Sequence, residues 1–138
     1  MLTLKLVRVP FGDTAEIKRG LDEFAREPNG GVLALPDSSN VLHRKVIIEL
    51  AAKHRLPALY ANREFVTSGG LAYYGDNRID SYRKAAEYVD RILKGAKPAE
   101  LPVQAATKFE LVINLKTAKA IGLSISPGML TRADEVIE

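Results

Sequence analysis

The chain has 138 residues, 46% hydrophobic and 27% charged, proportions of one ordinary globular domain able to bury a core without metal or disulfide staples. The 20 Lys and Arg exceed the 17 Asp and Glu by +3 and are interspersed. The His43-Arg44-Lys45 cluster reads as a solvated helix face, so no nucleic acid is expected as a partner. The absence of cysteine excludes a disulfide framework, a zinc–thiolate site and a thiol nucleophile, and no apolar run reaches the ~20 residues of a membrane span.

The N-terminal stretch carries Lys5 and Arg8 and no small-residue cleavage site, so it is not read as a signal peptide. Leu4-Lys5-Leu6-Val7-Arg8-Val9 reads instead as a strand, closed by Pro10-Phe11-Gly12. Asp13 and Glu16 then have capping-box spacing, and Ile17, Leu21, Phe24 and Ala25 share one face of a helix. Pro28-Asn29-Gly30-Gly31 ends it. Val32-Leu33-Ala34-Leu35 has the continuous apolar character of a strand buried on both faces. Pro36-Asp37-Ser38-Ser39-Asn40 makes a turn and a helix start, and Val46, Ile47, Leu50 and Ala51 form the stripe of a helix ending near His54.

Leu56 to Tyr60 enters a third strand, and Leu71-Ala72-Tyr73-Tyr74 makes a fourth behind Gly69-Gly70. Tyr82, Ala85, Ala86, Val89, Ile92 and Leu93 mark the strongest amphipathic helix, with a cap at Asp80 or Ser81 and Gly95 at its end. Phe109 to Ile113 is a fifth strand, Lys116 to Ala120 a helix, and Ser126-Pro127 the start of a last short helix. Strands alternating with helices predict an α/β fold, an open parallel sheet with helices on both faces.

Such sheets bind ligands beyond the carboxyl ends of their strands, which selects the loops at 10–13, 36–40, 61–64 and 73–77. Asp37 and Ser38 precede a helix N-terminus, where the carboxylate suits an ammonium and the hydroxyl an anion; plain helix capping explains all of this loop but Asp37. Asn62 and Arg63 follow the third strand, and Arg63 has the geometry for a carboxylate, or for a surface pair with Glu64. Tyr74 offers an aromatic lining and Gly75 a close backbone approach. His43 and His54 fall on different helix faces with no catalytic or metal-binding partner spacing. There is no phosphate loop, and no cofactor or metal is expected.

Several motifs then occur in a familiar order. Arg55-Leu56-Pro57-Ala58-Leu59-Tyr60, Arg63-Glu64-Phe65-Val66 and Gly69-Gly70-Leu71-Ala72-Tyr73-Tyr74-Gly75 come first. Ile92-Leu93-Lys94-Gly95-Ala96-Lys97-Pro98, Lys108-Phe109-Glu110-Leu111-Val112-Ile113-Asn114 and Ala133-Asp134-Glu135-Val136-Ile137 follow. With these the chain resembles the substrate-binding proteins of ABC importers, and specifically their C-terminal half. Members of that family are longer and fold as two type I periplasmic-binding lobes that close on a solute.

The resemblance implies three segments: 1–66 in the second lobe, 67–103 returning to the first, and 104–138 crossing back. It implies a small organic solute such as an amino acid, aromatic ones among the candidates, with no catalysis. It also implies an ABC permease as partner of the longer parent, in an extracytoplasmic location. The expected ligand contacts are Asp37 to an ammonium, Arg63 or Ser38 to a carboxylate, and Tyr74 with Asn62 and Gly75 beside it.

A strand at 71–74 and a helix at 80–94 whose first-lobe neighbours are not in this chain predict a homodimer through those elements. A sensory or regulatory module of the same fold is the alternative reading. A small flavodoxin-like enzyme is a third, disfavoured by the missing acid–base set.

Overall fold

A computed structural model describes residues 4–10 and 12–138. Residues 1–3 and Phe11, the middle of the expected turn at 10–12, lie outside the described residues. The elements run α1 (Thr14–Phe24), β1 (Val32–Ala34), α2 (Ser38–Leu42), α3 (Arg44–Lys53), β2 (Ala58–Tyr60), α4 (Arg63–Thr67), β3 (Ala72–Asp76) and α5 (Arg78–Leu93). After a 3₁₀ turn at Pro98–Glu100 come β4 (Phe109–Asn114), α6 (Leu115–Ile121), α7 (Pro127–Arg132) and β5 (Glu135–Ile137).

The strands form one sheet in the order β1-β2-β3-β4-β5. It is α/β and mostly parallel, but β3 and β4 run antiparallel. The antiparallel pair arises because the chain leaves the sheet after β3 along α5 and re-enters from the same end. β3 was expected to present an orphaned edge; it is paired on both sides, to β2 and β4. β5 was not anticipated as a strand.

In-register partners share a face, so two rows define the two sides of the sheet. Ala34, Tyr60, Tyr73 and Val112 form one row, all buried. Over them Ile17 and Leu21 of α1, Ile47, Leu50 and Ala51 of α3, and Phe65 of α4 complete the main core with Ala34 and Tyr60, while Val66 joins Tyr73 and Val112. The opposite row is Leu33, Leu59, Ala72 and Ile113. Leu123, Ile125 and Met129, from the α6–α7 segment, line this side with them around an apolar groove. Leu33 is 61% exposed there, so β1 is not covered on both faces as its apolar run suggested.

The expected strand at 4–9 does not form. Residues 4–10 have no regular structure, and only Val9 is seated, against the main core. α5 begins at Arg78, with Asn77 rather than Asp80 or Ser81 as its cap: the Asn77 Oδ1 accepts from the Asp80 N–H at 2.8 Å. Asp80 instead holds Lys108 at 2.8 Å and Lys84 at 3.3 Å, which ties the start of α5 to the approach to β4. Beyond this, the apolar side chains Ile79, Tyr82, Val89 and Leu93 are exposed along α5.

His54 has a partner the sequence did not suggest. Its Nε2 lies 2.5 Å from Asp22 Oδ1, joining the end of α3 to α1, and Lys53 reaches the same oxygen at 3.2 Å. The hydrogen bond to His54, then that to Lys53, holds the Asp22 carboxyl below its ordinary value of 3.8. A carboxylate favoured in the folded state contributes stability above pH 3.8 that is lost as pH falls through its lower folded value. The expected result is that Asp22→Asn lowers the urea midpoint at pH 7 and that its deficit shrinks below about pH 4. Urea titrations of both proteins at pH 7 and pH 3 check it; a deficit that is equal at both pH values would exclude the carboxylate as its source.

Candidate functional site

The carboxyl ends of β2 and β3 lie at one rim of the sheet. Because β4 runs antiparallel to β3, its beginning lies at that rim too, and β5, parallel to β4, starts there as well. Tyr60, Asp76, Phe109 and Glu135 therefore all stand near one edge although they are far apart in the chain.

A cavity of about 360 Å³ opens at this rim, lined by Arg63, Tyr73, Asp76, Asn77, Arg78, Ile79, Glu110 and Glu135. Arg63, at the first position of α4, pairs with Glu135 and lies 3.6 Å from Glu110. The hydrogen bond that Arg63 donates to the Glu135 carboxylate is the main reason its guanidinium is held even more firmly charged than usual. Arg78, at the first position of α5, donates from Nη2 to Asn62 Oδ1 at 2.6 Å and from Nη1 to Glu64 Oε1 at 3.2 Å. Asn77 Nδ2 donates to Glu110. The Tyr73 hydroxyl donates to the Asp76 carbonyl at 2.8 Å, and burial raises its pKa.

Two guanidinium groups and three carboxylates thus converge on one basin that also has an aromatic wall. Such a set matches both ends of a zwitterion, since a planar guanidinium can take a carboxylate bidentately and the acidic oxygens can accept from an ammonium.

Of the six residues singled out from sequence, Arg63 lines the basin. Asn62, buried, is linked to it through Arg78. Gly75 acts at close range: a Cβ there would stand 2.8 Å from the Tyr73 ring and 3.1 Å from the Ala61 carbonyl, so its lack of a side chain sets how near β3 comes to the loop after β2. Tyr74 faces the other side of the sheet, 52% exposed and stacked on Phe109 with ring centroids 5.7 Å apart. Its neighbour Tyr73 is the tyrosine at the basin. Asp37 is the cap of α2, accepting from the Ser39 N–H at 2.7 Å, and Ser38 opens that helix on the adjoining strand end. The capping reading accounts for that Asp37 oxygen.

Arg78, Tyr73, Asp76, Asn77, Glu110 and Glu135 were not among the selected residues. The first four adjoin the Tyr-Tyr-Gly motif and were within reach of the strand-end argument. Glu110 and Glu135 were not, because only the reversed direction of β4 brings them to this rim.

The family model for "ABC transporter substrate binding protein" matches residues 2–137, and the chain belongs to that family, one of non-catalytic binding proteins. Among solved structures it is similar to a conserved domain protein from Vibrio cholerae, with a TM-score of 0.78 and 28% identity over 89% of this chain and 41% of that one. It is similar to an ABC domain in complex with L-Trp from Streptococcus pneumonia, with a TM-score of 0.77 and 26% identity over 90% of this chain and 42% of that one. Among curated proteins it is 28% identical to a tyrosine-binding protein of Clostridioides difficile over 93 residues, which are 67% of this chain and 27% of that protein. The chain therefore spans about two fifths of the length of these solved relatives and less of the curated one.

Proposed function

We propose that this chain supplies one wall of the solute site of an ABC-type importer, and that its solute is an amino acid, an aromatic one by preference. The observation that carries the reading is the convergence of Arg63 and Arg78 with Asp76, Glu110 and Glu135 around Tyr73 at the strand ends. The naming of one relative for tyrosine and the L-Trp bound in another support the choice of solute. In this reading a guanidinium takes the solute carboxylate by exchanging one of its acidic partners, and Tyr73 meets the side chain. Asp37 and Ser38 stand at the neighbouring strand end, and Asn62 and Gly75 position Arg78 and Tyr73.

The second wall comes from another lobe. In this reading segments 1–66 and 104–138 belong to the sheet-bearing lobe; of the returning segment 67–103, β3 lies within that same sheet between β2 and β4, and α5 is the part that leaves it. The exposed Ile79, Tyr82, Val89 and Leu93 of α5 suit packing against that other lobe. Closure of the two lobes presents a surface to an ABC permease outside the cytoplasm. For a homodimer through the returning segment, the two-sided pairing of β3 leaves only the α5 face to a second copy.

The test is thermal unfolding of the purified chain with each of the proteinogenic amino acids. A ligand at a hundred times its Kd adds about 2.7 kcal/mol to stability, a shift of several degrees. L-tyrosine, L-tryptophan or L-phenylalanine is expected to give the largest rise, and Arg63→Met to abolish it. No shift with any amino acid at millimolar concentration would overturn the proposal.

A further inference from the structure

The charges around the rim basin do not cancel. Its lining sets two guanidiniums, Arg63 and Arg78, against three carboxylates, Asp76, Glu110 and Glu135. Both guanidiniums already have acidic partners. Arg63 pairs with Glu135 and lies 3.6 Å from Glu110, while Arg78 donates to Asn62 and to Glu64, a further carboxylate beside the basin. A solute carboxylate must therefore displace one that is in place, and its net gain is the difference between two similar pairs.

Asp76 differs from the other acids. It is the last residue of β3, half-buried at the rim, and its Oδ2 accepts from the Ser81 hydroxyl at 3.1 Å. Among the described residues it has no ion-pair partner. Lys84 and Lys108 are engaged by Asp80 in the first turn of α5. A carboxylate has about four acceptor positions, so Asp76 has capacity for a donor that carries charge. Tyr73 stands beside it: the phenol donates to the Asp76 carbonyl at 2.8 Å, and burial first and the Asp76 charge second raise its pKa. An ammonium in this corner of the basin would meet an anion and an aromatic side chain together, both favourable to a cation.

We infer that this wall holds its solute chiefly by the ammonium, with Asp76 as the acceptor, and that its ligands extend to aromatic amines that carry no carboxylate. The inference rests on the reading of the basin as the solute site and names the chemistry that the basin selects. An amine cation reduces the excess negative charge and opens no existing ion pair. A zwitterionic amino acid makes the same contact at one end and must open the Arg63–Glu135 or Arg78–Glu64 pair at the other. An aromatic acid without the amine meets the competition at the guanidiniums and has nothing to offer Asp76.

Isothermal titration of the purified chain at pH 7 with tyramine, L-tyrosine and 3-(4-hydroxyphenyl)propionate tests it, since the three share a phenol and differ in their charged groups. Tyramine is expected to bind roughly tenfold more tightly than the propionate, or better (about 1.4 kcal/mol). Asp76→Asn keeps the shape and an acceptor for Ser81 but removes the charge, and is expected to weaken tyramine by a similar factor with unchanged circular dichroism. Asp90→Asn, far along α5 where Asp90 pairs with Lys94, is expected to leave tyramine binding unchanged, which sets aside a general attraction of cations. Tyramine that binds no better than the propionate, or equally well to Asp76→Asn, would overturn the inference. Binding of L-tyrosine without tyramine would overturn it and leave the proposed function standing. Binding of tyramine without L-tyrosine would support it and overturn the choice of an amino acid as solute.

Discussion

Replacing Phe65 by alanine is expected to lower unfolding free energy by about 3–5 kcal/mol, a large part of the 5–15 kcal/mol typical of a domain. Phe65 and Tyr60 are each only 1% exposed and stack with centroids 4.6 Å apart and planes 19° from parallel. Phe65 belongs to the main core under α1 and α3, while the next residue, Val66, belongs to the second cluster with Tyr73 and Val112. The five-residue α4 is thus the wedge that joins two halves of the buried face. A helix this short has little stability of its own, so its conformation depends on that burial. Losing the ring removes the transfer energy of the side chain, the aromatic contact and the anchor of α4 together. Urea denaturation measures the loss, and Phe65→Leu, which retains most of the volume, is expected to recover more than half of it. Because Arg63 opens α4, Phe65→Ala is also expected to weaken amino-acid binding in the protein that remains folded. A cost below 1 kcal/mol would mean that the site collapses around the missing ring.

The elements with strong local signals were legible in the sequence. Asp13 caps α1 by accepting from the Glu16 N–H at 2.8 Å, Gly95 takes φ +101 just beyond α5, and Ser126 accepts from Met129 N–H at the start of α7. Each of these depends on residues within a turn of one another. The failures depend on distance. Leu4 to Val9 has a strand's pattern, but a strand exists only where a neighbour accepts its hydrogen bonds, and none among the described residues does. α4 hides in what reads as a loop, since five residues show no helical period. The direction of β4 is a property of the connection through α5, not of the apolar run at 109–113. That direction decides the basin, because it brings Glu110 and Glu135 opposite Arg63. Alternation placed Tyr73 and Tyr74 on opposite faces but did not say which face leads to the rim; the partners Tyr60 and Val112 settle it for Tyr73.

The glycine doublet at 69–70 yields the second large effect, and its two members are expected to fail for different reasons. Gly70 has no unusual φ, but a Cβ there would stand 2.6 Å from the Tyr60 ring and 2.9 Å from the Phe65 carbonyl. One contact is with a side chain locked in the aromatic stack and the other is with backbone. The same carbonyl accepts the Gly70 N–H at 2.8 Å, so the chain cannot retreat without losing that bond. Gly70→Ala is therefore expected to cost about 1–3 kcal/mol as overpacking, or more if the stack is forced apart. Gly69 sits in open space, with nothing within 4 Å of a Cβ, but at φ +103. Gly69→Ala meets no neighbour and is expected to cost about 1 kcal/mol through backbone strain alone. Urea midpoints of the two variants check the order. The amide exchange of residues 60–66 separates the causes: Gly70→Ala should loosen it and Gly69→Ala should not. If both variants lost the same stability with 60–66 still protected, the doublet would matter only for its turn. The closeness of backbone at Gly70 would then have no part in holding Tyr60 against Phe65, and through α4 in placing Arg63.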